Sequence, residues 1–494
     1  MTKNREKAST GIAGLDSVLN GGLARARTFL LEGAPGTGKT TIALQFLMEG
    51  ARAKERGLYI TLSETEEELR ATADSHGWRL EGMDIFELLP PESLLSEEQQ
   101  QSLLYSSDLE LGETTRQIFA EFERVRPDCV VLDSLSEIRL LAESALRYRR
   151  QILAMKHYFA KRNTTVLLLD DLTTEINDKA VHSIAHGVIQ LEELAPDFGP
   201  ERRRLRVLKY RGNRFRGGYH DFVIETGVVR VYPRLVASEH SRNFSRNTQP
   251  ASSPELSALL GGGVERGSSV LLMGPAGAGK SFLALSFIAS AAARGERSAM
   301  FIFDEERGLL VERSKGLGVD IAGLEKSGLL TLIQVDAAQL TPGEFSALVR
   351  QCVERDGAHC IVIDSLNGYQ TSMPEERALM LHIHELLQYC NRMGATTFLS
   401  VAQHGLLGDV RAPVDVTYLA DTVILLRYFE AMGEVRRAIS VVKKRTSSHE
   451  NTIREYWLDS RGLTLGEPLS NFHGVLHGTP TLVGGDLRLR RRRP

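Results

Sequence analysis

Two stretches decide how this chain is read: GAPGTGKTT, Gly33 to Thr41, and GPAGAGKS, Gly274 to Ser281. Each contains the pattern GxxxxGK[ST], each follows a short apolar run, and each opens a segment of helical spacing. Both are therefore predicted to be phosphate-binding loops. The glycines let the backbone turn so that several N–H groups converge on one anion, and the following helix adds its N-terminal partial positive charge. The predicted nucleotide contacts are Gly33, Gly36, Thr37, Gly38, Lys39, Thr40 and Thr41 in the first loop. In the second they are Gly274, Gly277, Ala278, Gly279, Lys280 and Ser281. Lys39 and Lys280 are expected to reach the β- and γ-phosphates of ATP, and the hydroxyls of Thr40 and Ser281 to hold Mg²⁺. A purely structural glycine turn competes with this reading for either loop alone, but the repetition in one context argues against it.

The repeat extends outward from the loops. Lys39 and Lys280 are 241 residues apart, as are Gly22 and Gly263 upstream and Glu64 and Glu305 downstream. CVVLDSLSEI then pairs with CIVIDSLNGY, Asp133 and Asp364 being 231 apart, and LKYRG pairs with VKKRT, Lys209 and Lys443 being 234 apart. Landmarks in one order indicate a tandem duplication of a domain of roughly 230–240 residues. The expected boundaries are 1–237 and 255–478, with a Ser-, Asn- and Pro-rich linker at 238–254 and a basic tail at 479–494.

Within each copy, strand-like and helix-like segments alternate. Cys129 to Leu132 and Val166 to Leu169 are continuous apolar runs, the mark of strands buried on both faces. The predicted class is α/β, a mainly parallel sheet flanked by helices. FVIETGVVRVY reads as a hairpin turning near Thr226-Gly227, which adds an antiparallel edge.

Carboxylates complete the expected chemistry. Asp133 and Asp364 end buried strands, where an acid can orient metal-bound water; helix capping is the alternative. Glu64 lies 25 residues after Lys39, and Asp304-Glu305 hold the matching position in the second copy. These are candidates for positioning the attacking water, again with capping as the alternative.

Composition narrows the class. The 494 residues carry 60 basic and 63 acidic side chains, net −3, which argues against a general nucleic-acid coat protein. The hydrophobic fraction of 42% and charged fraction of 25% are those of an ordinary globular chain. No apolar run approaches the length of a membrane span and MTKNREKAST lacks the apolar core of a signal peptide, so a cytoplasmic protein is expected. Cys129, Cys352, Cys360 and Cys390 form no CxxC pair and read as buried free thiols. The terminal Arg488 and Arg490 to Arg493 read as a solvated tail or a contact for an anionic partner.

These residues resemble the RecA-superfamily ATPases of the KaiC type over nearly the whole chain. The resemblance rests on TGIAGLDSVLNGGL, the two P-loops, the acids after the second strand, the strands ending in Asp133 and Asp364, LKYRGNRFRGGYHDFVI and ISVVKKRTSSHENTIREYWL. It implies two tandem RecA-like domains stacked as two rings in a homohexamer, with ATP between subunits. It also implies cations acting in trans: Lys209 and Arg211 for the first ring, Lys443 and Arg445 for the second. It further implies slow ATP hydrolysis in the first domain and Ser/Thr autophosphorylation in the second, with Asp304 or Glu305 as base. In DVTYLADTVILL, Thr417 matches one acceptor of the family and Tyr418 the other; an unmodified strand threonine is the alternative for Thr417. Three features depart from the clock members: Ser63-Glu64 and Asp304-Glu305 each keep only one glutamate of a pair, Tyr418 replaces an acceptor, and an Arg run follows HGTPTLVG in place of a long tail. The expected function is accordingly a KaiC-like signalling ATPase with a regulatory protein partner. The alternatives are a DNA-handling motor using Arg202, Arg203, Arg204, Arg206 and the tail, and a non-catalytic ATP-dependent switch.

Overall fold

The computed structural model describes residues 7–88, 107–172, 180–196, 199–370, 373, 376–403, 416–459, 462–477 and 480–482. The chain divides into two compact units, Met1–Arg234 and Leu235–Pro494.

The main-sheet strands of the first unit are Thr28–Glu32 (β1), Gly57–Thr61 (β2), Met83–Glu87 (β3), Cys129–Asp133 (β4), Thr165–Asp170 (β5), Gly187–Leu194 (β6), Arg202–Tyr210 (β7), His220–Glu225 (β8) and Val228–Tyr232 (β9). Those of the second are Ser269–Gly274 (β10), Arg297–Ile302 (β11), Leu330–Gln334 (β12), Ala358–Asp364 (β13), Thr396–Ala402 (β14), Thr422–Ala431 (β15), Glu434–Lys444 (β16), Arg454–Asp459 (β17) and Gly462–Pro468 (β18). The spatial orders are β3-β2-β4-β5-β1-β6-β7-β8-β9 and β12-β11-β13-β14-β10-β15-β16-β17-β18, the same order twice. The first six strands of each sheet run parallel and the last three antiparallel. The expected α/β architecture with an antiparallel edge is what forms, in duplicate.

The apolar runs explain why. In β1 every residue is buried, and successive side chains enter opposite layers. Phe29 and Leu31 pack with Ile42, Leu44 and Phe46 of the helix Lys39–Arg52. Leu30 packs on the other face with Ile118, Phe122, Ile152 and Phe159 from the helices Ser107–Val125 and Ala145–Lys161. Each such side chain contributes about 1.5–3 kcal/mol by leaving water. The predicted hairpin turns at Thr226-Gly227: Glu225 pairs with Val228, and Gly227 takes a φ of +86° that a β-branched residue would resist.

The segment between the copies is structured where it is described. Ala237–Glu239 is a 3-10 turn, Thr248–Gln249 pairs antiparallel with Val264–Glu265, and Ser253 caps the helix Pro254–Leu259. Thr481–Leu482 pairs with Phe472–His473, and the arginine run beyond lies outside the described residues. All four cysteines are buried free thiols. Among the described residues no helix is long and apolar enough to cross a membrane.

One half-buried histidine gives the second unit a pH-dependent term. His382, on the helix Glu376–Met393, lies beside Ser346 and the Tyr369 ring, and burial pushes its pKa from 6.5 to about 4. The unfolded chain therefore takes up a proton there before the folded chain does. This contribution is intact above pH 6.5 and is lost as the pH falls towards about 4, by at most about 3 kcal/mol. In denaturant titrations between pH 7 and 4.5, His382→Gln should lose less stability on acidification than the parent chain.

Candidate active site

The first glycine loop joins the carboxyl end of β1 to the helix Lys39–Arg52, near the middle of the sheet. Gly38 occupies the N-cap position at φ +94°, ψ 23°, and Gly279 repeats it at φ +95°, ψ 22° before the helix Lys280–Ala293. That left-handed step turns the first-turn N–H groups, which have no intrahelical partners, towards the loop. Neither cap position supplies a side-chain bond of its own.

Both lysines are buried and held by their own loops. Lys39 Nζ donates to the carbonyls of Gly33 (2.8 Å) and Ala34 (3.0 Å), and Lys280 Nζ to those of Gly274 and Pro275 (2.9 Å each). Burial lowers the Lys280 pKa, and Asp364 acts the other way. The Thr37 hydroxyl donates to Ala34 O at 2.8 Å; at the matching position Ala278 is fully buried and its carbonyl accepts from the Tyr456 hydroxyl. The first site has an addition that sequence reasoning missed: Asp171 Oδ1 lies 2.9 Å from Lys39 Nζ. The signal was available, because Asp170-Asp171 directly follow the apolar run of β5, beside the P-loop strand.

The strand-end acids converge on these loops. Asp133 Oδ2 accepts from Thr40 Oγ1 at 3.4 Å and from the buried Tyr59 hydroxyl at 2.5 Å. Burial raises the Asp133 pKa, opposed by the Tyr59 hydrogen bond. Asp364 accepts from the Ser400 hydroxyl. Glu64, at a tight turn where its N–H and carbonyl both bond Thr61 Oγ1, is half-buried. Its pKa is raised by burial first, then by Asp133, Glu68 and Asp171, while Lys39 opposes the rise. Glu64, Asp133 and Lys39 thus share one field. In the second unit Asp304 Oδ2 accepts from Ser365 Oγ at 2.5 Å, and Glu305 lies 2.9 Å from Arg313. Burial raises the Glu305 pKa against the pull of Arg313.

Helix capping falls to other residues. Thr65 caps the helix Glu66–Ser75 in a reciprocal box with Glu68, Ser134 is the cap residue after Asp133, and Glu306 caps Arg307–Gly316 through the N–H groups of Gly308 and Leu309. The hydroxyl and carboxylate pair Thr40 and Asp133 is a hard-oxygen set of the kind Mg²⁺ takes alongside phosphate and water, and Ser281 with Asp364 is its chemical counterpart.

The four late cations are not brought to their own P-loop. Lys209 Nζ donates to the carbonyls of His182 and Ala185, and Arg211 Nη2 to Ser183 O at 2.5 Å. Lys443 Nζ donates to Thr417 O (2.7 Å) and Ala420 O (2.8 Å), and Arg445 Nη2 to Tyr418 O (3.0 Å). The cradle is the same twice. Arg211 N bonds His186 O, and His186 N bonds Thr28 O, so Arg211 is level with the start of β1, whereas the P-loop follows its end. Arg445, Asp421 and Ser269 repeat that chain of bonds at the start of β10. Thr417 stands in a turn, half-buried, before β15 begins at Thr422, so it is not a strand residue; Tyr418 beside it is exposed. The arginines of β7 are engaged in cross-strand pairs: Arg203 with Glu193 and Arg204 with Glu192, both at 2.8 Å, and Arg206 with Gln190 at 2.8 Å.

The family model for the KaiC ATPase matches residues 8–236 and again 250–470. The chain belongs to the KaiC ATPase family. Among curated proteins it is similar to the circadian clock protein KaiC3 of Synechocystis sp., 27% identical over 492 residues, covering 97% of this chain and 95% of that one. It is also similar to the circadian clock oscillator protein KaiC of Thermostichus vulcanus, 26% identical over 489 residues, with 97% and 93% covered. That of Prochlorococcus marinus is 26% identical over 490 residues, with 98% and 97% covered. Membership makes the chain an ATP-binding protein of the ATPase kind, built from two copies of the KaiC domain.

The caps carry a testable cost. At Gly38 and Gly279 a Cβ would meet Ile224 Cδ1 at 2.4 Å and Leu458 Cδ1 at 2.6 Å, besides the penalty of positive φ. Gly38→Ala and Gly279→Ala should each lower stability by about 1–3 kcal/mol in denaturant unfolding.

Proposed function

We propose that this KaiC-family protein hydrolyses Mg-ATP at sites completed between subunits of a homohexamer, in signalling or clock-related regulation in the cytoplasm with a regulatory protein partner. The observation that carries the proposal is the repeated separation of cations from P-loop. Arg211 and Arg445 are level with the start of the P-loop strand, and Lys209 and Lys443, level with its third residue, commit their ammonium groups to the carbonyls of His182 and Ala185 and of Thr417 and Ala420. Charge developing on a transferring phosphoryl group needs cations beyond the loop lysine. A neighbouring copy supplies them when subunits form a ring.

In this reading Lys39 and Lys280, with the first-turn N–H groups, hold the β- and γ-phosphates. Thr40 with Asp133, and Ser281 with Asp364, would hold Mg²⁺, which supplies charge neutralisation on the phosphates. Glu64 orients the attacking water in the first site, and Asp304 or Glu305 acts in the second.

A second reading, autophosphorylation at Thr417, is favoured by one observation: Thr417 lies in the turn whose carbonyls are held by Lys443 and Arg445. The DNA-motor reading is weakened by the ion pairs of Arg203 and Arg204, which offset the charge a phosphate backbone would meet.

Three measurements check the proposal. Calorimetric titration with ATP should give two sites per chain, one in Lys39→Ala or Lys280→Ala, and none in the double variant. Arg211→Ala with Arg445→Ala should cut phosphate release by about a thousandfold while leaving the circular dichroism of the chain unchanged; full activity would contradict the trans role. After incubation with Mg-ATP, intact-mass analysis should show added phosphate that Thr417→Ala removes.

A further inference from the structure

The two sites differ at the lysine. Lys39 faces Asp171 at 2.9 Å in addition to its two carbonyls, whereas among the described residues Lys280 Nζ bonds two carbonyls and no carboxylate. Strand register identifies the residue that replaces Asp171. Thr165 pairs with Cys129 and Thr396 with Cys360 at the starts of β5 and β14. Counting six residues on from each threonine gives Asp171 in the first unit and Ala402 in the second. Asp171 is about a quarter exposed and Lys39 almost fully buried, so the ion pair is only partly screened. Ser136 Oγ donates to the other carboxylate oxygen, Asp171 Oδ2, at 3.5 Å.

We propose that Asp171 is a specificity-determining residue of the first site: it competes with the terminal phosphates of the nucleotide for Lys39, so that the first site binds ATP more weakly than the second. The proposal rests on the P-loops being the nucleotide sites. Its physical basis is direct. A lysine ammonium has one charge to give, and an anion that approaches it must displace Asp171 or accept a like-charged neighbour within a few ångströms. At the second site Ala402 brings no such competitor: among the described residues Lys280 makes no ion pair, and Asp364, the counterpart of Asp133, acts on it from a distance. No bond is made or broken by Asp171 in this scheme; it sets the affinity at which the first site loads.

The test uses full-length chain in a Lys280→Ala background, so that only the first site is titrated, with ATP at fixed Mg²⁺. Asp171→Ala and the near-isosteric Asp171→Asn should each tighten ATP binding by about tenfold or more. The reciprocal Ala402→Asp, read in a Lys39→Ala background, should weaken the second site by a similar factor. Unchanged affinity in both Asp171 variants would overturn the proposal, as would unchanged affinity with a fall in turnover, which would make Asp171 a group acting on the water. If the parent Lys280→Ala chain and its Asp171 variants all fail to bind ATP, the reading of the first P-loop as a nucleotide site falls as well.

Discussion

A buried ammonium group surrounded by inward-facing carbonyls is the constraint on which the rest depends. Lys39 and Lys280 each sit almost out of water at the carboxyl end of a central parallel strand, tied to two carbonyls of the loop they close. Backbone carbonyls satisfy the N–H donors but do not cancel the charge, so each cradle calls for an anion, a role that Asp171 takes at Lys39. The parallel sheet provides the rigidity: β1 and β10 are flanked on both sides by strands whose apolar residues enter two separate cores. The helix behind each loop aims its free N–H groups at the same point. Strand-end acids, the hydroxyls of Thr40 and Ser281 and the glutamates after the second strand are then positioned by the same sheet edge.

Duplication preserved that scaffold and let the surroundings diverge. In the first unit the carboxyl ends of β1 and β5 pair Glu32 with Asp170, two buried carboxylates side by side. They are accommodated because His182 Nε2 lies 2.7 Å from Glu32 and Arg139 Nη2 2.5 Å from Asp170. The matching pair in the second unit, Met273 with Val401, is apolar and needs no such support. The same contrast continues one residue further at Asp171 and Ala402. One fold therefore carries a charged and a neutral version of the wall beside its P-loop, which is the physical basis of the unequal loading proposed for the two sites.

Much of this was legible in the sequence, for reasons that can be named. GxxxxGK[ST] works through local backbone geometry, so its reading survives without tertiary information, and the apolar runs of β4 and β5 announce two-sided burial directly. The Thr226-Gly227 hairpin is equally local. What escaped were contacts created by strands distant in sequence. Tyr59 reaches Asp133 only because β2 lies beside β4, and Asp171 reaches Lys39 only because β5 lies beside β1. The cradle of carbonyls around Lys209 and Lys443 was also hidden, since main-chain acceptors leave no trace in residue type. Thr417 was open to reading as a strand residue because only Asp421 and the threonines interrupt the apolar residues of TYLADTVILL, yet a turn intervenes before Thr422.

The central claim, that P-loop and late cations of different copies make one site, is tested most directly by complementation. One chain carries Lys39→Ala and Lys280→Ala and keeps its four late cations; the other carries Arg211→Ala and Arg445→Ala and keeps both P-loops. Each alone should release little phosphate from Mg-ATP. Mixed under conditions that allow subunits to exchange, they should recover a substantial part of the parent rate, because intact loops then face intact cations across mixed interfaces. A mixture that assembles yet releases no more phosphate than its two components separately would contradict the account.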